Sequence, residues 1–107
     1  MIQIVYHRLY HRVTVEGHAE SAEFGHDLIC ASCSSLARTL AENVMDLEQS
    51  GAVRDVTVDL MSGKAEIACN PVTKFRSIVT MIYDSICTGF AILARDYPEF
   101  VTLVIQG

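Results

Sequence analysis

Two stretches at the start of the chain, Ile2 to Tyr10 and Arg12 to Glu16, are rich in Val, Ile, Tyr and Thr and read as strands joined by a short connection around His11. The period then changes. At about 100° per residue, Ile29, Cys33, Leu36, Leu40, Val44 and Leu47 fall on one narrow stripe, the buried face of an amphipathic helix from about Asp27 to Gln49. Cys30, Ser34, Ala37 and Ala41 form a neighbouring stripe roughly a quarter-turn away, where core meets solvent. Ser50-Gly51 ends this helix, because glycine takes the left-handed conformation that other residues resist. Alternation returns in Ala52 to Met61, and Lys64 to Cys69 pairs with it as a hairpin across Met61-Ser62-Gly63.

Asn70-Pro71 reads as an N-cap followed by proline at the first position of a second helix, which runs to about Asp96. Tyr97-Pro98 stops it, since the residue before a proline is pushed out of the helical region. Phe100 to Ile105 is a last, nearly continuous apolar strand. The order ββαββαβ predicts an α+β fold in two layers, with both helices packed on one mixed sheet. No repeat, linker or low-complexity stretch divides the chain, so residues 1–107 are expected to form a single domain. In the second helix Phe75, Ile78, Val79, Ile82, Ile86, Phe90, Leu93 and Tyr97 make one stripe, yet Met81, Tyr83, Cys87 and Ile92 lie off it. A helix apolar beyond one face calls for a second partner, so a homodimer through this helix or the last strand is expected.

With 107 residues, half of them hydrophobic, the chain is long enough to bury a core without disulfide staples. Its net charge of −5 and scattered basic residues argue against nucleic-acid binding and suit a basic partner. The first residues alternate and carry polar side chains, without the long apolar run of a signal peptide or membrane helix. The expected location is therefore the cytoplasm, with no membrane partner, and the four cysteines are expected as reduced thiols.

Chemical specificity is concentrated between Gly17 and Ser35. A polar loop bounded by Gly17 and Gly25 carries His18 and leads into the first helix. Asp27 suits the N-cap, where a short carboxylate accepts unpaired amide N–H groups and its charge complements the helix dipole. That cap would set Cys30 in the first turn, among groups that favour a thiolate, and the loop is long enough to bring His18 back onto it. Such a Cys/His pair is one arrangement for nucleophilic catalysis. Glu16, Glu20, Glu23 and Asp27 would together draw a cationic substrate toward it.

Gly17-His18-Ala19, then Gly25-His26-Asp27-Leu28-Ile29-Cys30-Ala31, with Ser34 four residues on, resembles the signature of the bacterial ribosomal-processing cysteine proteases. Chain length, element order and Tyr97-Pro98 before the final strand extend the likeness to essentially the whole chain. The resemblance implies a small homodimeric peptidase of the bacterial cytoplasm, needing no cofactor, that removes a short N-terminal extension from a basic large-subunit ribosomal protein. It implies His18 and Cys30 as the catalytic pair, with Asp27 and Ser34 as supporting residues near the site. Gly17 and Gly25 are candidate hinges of the loop between them, and Asp27 is a candidate either for the cap or for orienting His18. Cys33, and Ser21-Ala22 in mid-loop, depart from that family's usual pattern.

Three other readings compete. Cys30-Ala31-Ser32-Cys33 has the spacing of a thiol oxidoreductase, although the two preceding strands read as a hairpin and the chain has no tryptophan. His18, His26, Cys30 and Cys33 offer nitrogen and sulfur donors, but their spacing matches no zinc pattern and no metal is expected. A non-enzymatic, ribosome-associated dimerisation module is the third. His7, His11, Cys69 and Cys87 read as structural residues with no chemistry around them.

Overall fold

Alternation in the first stretch translates directly into burial. In the computed structural model, which describes residues 1–18 and 26–107 with the side chains of His26 and Asp27 excepted, β1 (Ile2–His7) turns Ile2, Ile4 and Tyr6 into the core. The strand is shorter than its composition suggests. Arg8–Tyr10 forms a 3-10 turn closed by His11, whose left-handed backbone (φ 48°) makes the corner into β2 (Arg12–Gly17). The first helix, α1 (His26–Gln49), ends at Gly51 with φ 80°, as expected. β3 (Val53–Met61) and β4 (Lys64–Pro71) form the predicted hairpin, with Met61 opposite Lys64 across a two-residue turn.

The second helix starts later than Asn70-Pro71 predicts. Both residues continue β4, with Asn70 opposite Arg54 and Pro71 opposite Val53. Pairing of β4 with β2 stops at Ala68, so one flank of β4 has no strand neighbour at Pro71, and the missing N–H is tolerated there. A 3-10 turn at Thr73–Phe75 then leads into α2 (Arg76–Asp96), and β5 (Val101–Gln106) closes the chain.

The five strands lie in the order β3-β4-β2-β1-β5, antiparallel except for the β1/β5 pair. Both helices cover one face, α1 against β3 and β4 and α2 beside it toward β5. This is the expected two-layer α+β arrangement. Although α2 is long and apolar enough in composition to span a membrane, its Val79, Tyr83, Ile86, Cys87 and Phe90 are buried in this core. Tyr83 and Cys87, expected off the buried stripe, are thus core residues, while Ile78, expected on it, is exposed. In α1 the same happens: Ala37 and Ala41 are buried, and Leu36 and Leu47 only partly so. The cause is shared. Each helix packs on the sheet and on its fellow helix, so its buried arc is wider than, and rotated from, a stripe drawn for one contact.

His11 has more around it than its sequence context suggests. It is buried, its Nε2 lies 2.7 Å from Thr80 Oγ1, and its ring stands edge-on to Tyr83 at 5.7 Å, while Tyr83 stacks on Tyr6. Burial lowers its pKa, with the Arg76 and Arg8 charges acting in the same direction.

Candidate active site

β2 ends at Gly17, whose positive φ of 103° turns the chain out of the sheet. Its amide donates to Gly63 O at 2.9 Å, tying this corner to the β3–β4 turn, and the Met1 ammonium donates to His18 O at 2.7 Å. The His18 side chain, exposed, lies against Gly63 so closely that a Cβ built there would run into the imidazole, with Cε1 at 3.0 Å. Glycine at 63 is therefore required twice, by its φ of 76° and by the ring above it.

The opposite wall comes from α1. Since the helix begins at His26, Asp27 is its second residue and not the N-cap; a carboxylate there still suits the dipole. Cys30 consequently sits just beyond the first turn. Its own N–H falls within the i→i−4 ladder, and the amides left without helical partners are those of the first residues, His26 to Leu28. Cys30 is half-buried, Cys33 is buried and Ser34 is exposed. Gly25, Glu20 and Glu23 lie outside the described residues, as does the Asp27 side chain.

Gly17, His18, Cys30 and Ser34 converge on one cavity of about 250 Å³, with Cys33 reaching it from the core. Residues that sequence reasoning did not include complete it: Ser62, Gly63 and Lys64 of the hairpin turn, with Ile2 and Val15 beneath. The Glu16–Lys64 strand pairing brings the turn there. Of these signals only the turn glycine is visible in the sequence. Burial pushes the Cys33 thiol up to about 11, with neighbouring Cys30 adding to it, and pushes Cys87 up to about 12 and Cys69 up as well. These three thiols stay protonated near neutral pH, which leaves Cys30 as the thiol with access to solvent and a histidine on the same cavity. Among the described residues, no cluster of three or more His, Cys, Asp or Glu groups is arranged to hold a metal. A larger cleft of about 650 Å³ opens at the other end of the sheet, beside His7, His11 and Arg76, and none of the predicted site residues reaches it.

A profile of the family described as cysteine protease Prp matches residues 1–102. The chain belongs to the cysteine protease Prp family. It is accordingly a cysteine protease, and the likeness read from the Gly17–Ser35 stretch is a family relationship. Among solved structures, the chain is similar to SMU.848 from Streptococcus mutans, with 28% identity, 99% of this chain and 94% of that chain covered, and a TM-score of 0.69. It shares its fold with the essential ribosomal processing protease Prp from S. aureus in complex with a covalently linked product peptide (21% identity, 98% and 97% covered, TM-score 0.71). A second structure of that Prp, in complex with a substrate peptide, aligns at 20% identity over 98% and 97% of the two chains, with a TM-score of 0.69. No curated protein sequence matches the chain significantly.

Proposed function

We propose that this Prp-family protease removes a short N-terminal extension from a large-subunit ribosomal protein, using Cys30 as nucleophile and His18 as its acid–base partner. The observation that carries this reading is the convergence of His18 and Cys30, from separate elements, on one solvent-open cavity. His18 accepts the Cys30 proton, and Sγ attacks the scissile carbonyl. The free amides at the start of α1 stabilise the oxyanion, and His18 then protonates the leaving amine. Water, deprotonated by His18, hydrolyses the thioester and restores the thiol. Ser34, one turn after Cys30, donates to the sulfur, and Asp27 is the supporting carboxylate at the helix start, where the dipole favours its charge.

The net charge of −5 supports a basic substrate, and Glu16, Glu20 and Glu23 would help to draw it in. We assign the enzyme to the bacterial cytoplasm, acting as a homodimer; the exposed Ile78, Met81 and Ile92 of α2 and Val104 and Ile105 of β5 are the apolar surface that favours pairing. The test is incubation of the chain with peptides copied from the amino termini of large-subunit ribosomal proteins, beside Cys30→Ala and His18→Ala. Cleavage at one bond by the wild type alone supports the proposal. Equal cleavage by Cys30→Ala, or none of any peptide by the wild type, overturns it.

A further inference from the structure

Cleavage by the His18 and Cys30 pair leaves the second cysteine of Cys30-Ala31-Ser32-Cys33 unused. Both thiols reach the same cavity, one half-buried and one from the core. Helix geometry sets Cα atoms three residues apart at about 5 Å, within the range of roughly 4.4–6.8 Å that disulfides span. The Cβ atoms of such a pair stand about 5–6 Å apart, whereas a relaxed disulfide wants about 3.8 Å. A bond between them therefore tightens the helix locally and is strained, which makes it easily reduced. The pair begins one turn from the helix start, where local opening costs least.

We propose that Cys30 and Cys33 form a reversible disulfide that switches the peptidase off under peroxide and protects Cys30 from irreversible oxidation. The modification site stands on the two thiols alone; the loss of activity rests on the reading of Cys30 as nucleophile. Peroxide meets Cys30 first because Cys33 lies only 3% exposed. The Cys30 thiolate attacks a peroxide oxygen, the O–O bond breaks, and sulfenic acid and hydroxide result. Cys33 Sγ then attacks the Cys30 sulfur, the S–O bond breaks, and the departing hydroxide leaves as water with the Cys33 proton. Two thiols lose two electrons and one peroxide becomes two waters. Burial keeps Cys33 protonated, so it waits as a resolving thiol without starting the chemistry, and its fixed position three residues away offsets its weak nucleophilicity. Cys69 and Cys87 do not compete. Both are buried away from the cavity, and Cys69 lies 3.6 Å from the Tyr83 hydroxyl.

The experiment treats wild type, Cys33→Val and Cys33→Ala with hydrogen peroxide and follows intact mass, peptide maps and cleavage of a ribosomal amino-terminal peptide. The wild type is expected to lose the mass of two hydrogens, to yield a linked Cys30–Cys33 peptide, and to recover its lost activity with dithiothreitol. Both variants are expected to start active, gain two or three oxygens at Cys30 as sulfinic or sulfonic acid, and stay inactive after dithiothreitol. Oxygen adducts without a linked peptide in the wild type, or full recovery by the variants, overturns the proposal; the wild-type map decides even if a variant fails to fold. A disulfide that forms while cleavage continues supports the modification site and overturns Cys30 as the nucleophile.

Discussion

Gly63→Ala tests the geometry of the proposed site without substituting His18 or Cys30. Two effects are added by one methyl. Alanine at φ 76° carries the left-handed penalty of about 1–2 kcal/mol, equivalent to a fall in Tm of about 4–8 °C for each kcal/mol in a domain near this size. The new Cβ also enters the space of the His18 ring, with Cε1 at 3.0 Å and Cδ2 at 3.2 Å against an ordinary carbon contact of about 3.5–4.0 Å. An exposed ring retreats at little cost in stability, but in the proposed role of His18 a displacement on the order of 1 Å lowers turnover by about 100-fold. Gly51→Ala is the control, because Gly51 has a similar φ of 80° and nothing within 4 Å of its added Cβ. Circular dichroism melts should show similar destabilisation in the two variants, while kcat/KM for a cleaved peptide collapses only in Gly63→Ala. Equal activity in both variants would refute the claim that the ring's position over Gly63 matters.

Three further outcomes follow from the same structure. Iodoacetamide at neutral pH should label Cys30 far faster than Cys33, Cys69 or Cys87, all buried and pushed up in pKa; equal labelling of all four in the folded protein would contradict the nucleophile assignment. His11 has its folded pKa lowered by burial, so its contribution to stability is complete above the unfolded value of about 6.5 and is lost as pH falls below it. His11→Asn, which tolerates the left-handed corner but loses the ring, should melt lower at neutral pH yet show a flatter decline toward pH 5; parallel declines would remove His11 from the acid response. Cleavage efficiency for a basic peptide should fall as salt shortens the Debye length from about 10 Å at 0.1 M to about 3 Å at 1 M, and neutralising Glu20 and Glu23 together should flatten that dependence; indifference to salt in both proteins excludes steering.

Hairpins and helices were legible in the sequence where a single contact determines the pattern. Alternation in β1 and β3, the Ser50-Gly51 stop and Tyr97-Pro98 all correspond to structure because local backbone preferences and one buried face act together. Legibility ended where two environments satisfy the same residue. Pro71 lacks an N–H, which suits a helix start and an unflanked strand position equally, and only the pairing of β4 with β3 decides between them. Asp55 bulges β3 with φ 53°, a conformation that its residue type permits but does not announce. The widened buried arcs of α1 and α2 depend on the helices meeting each other, which no stripe on either one reveals. At the cavity, residue type and position singled out His18 and Cys30, but nothing in the sequence singled out the hairpin turn that lies against the imidazole. Its place is set by Gly17 bonding to Gly63 and Glu16 pairing with Lys64, contacts between distant parts of the chain.

The central claim is that Cys30 Sγ carries the acyl group of the substrate during cleavage. Rapid acid quench of the enzyme with a cleavable ribosomal amino-terminal peptide, followed by intact mass and peptide mapping, reads that intermediate directly. The account predicts a transient thioester to the N-terminal cleavage fragment on Cys30, absent in Cys30→Ala and slow to form in His18→Ala. Product release with no adduct in Cys30→Ala, or an acyl group mapped to Cys33, would contradict it.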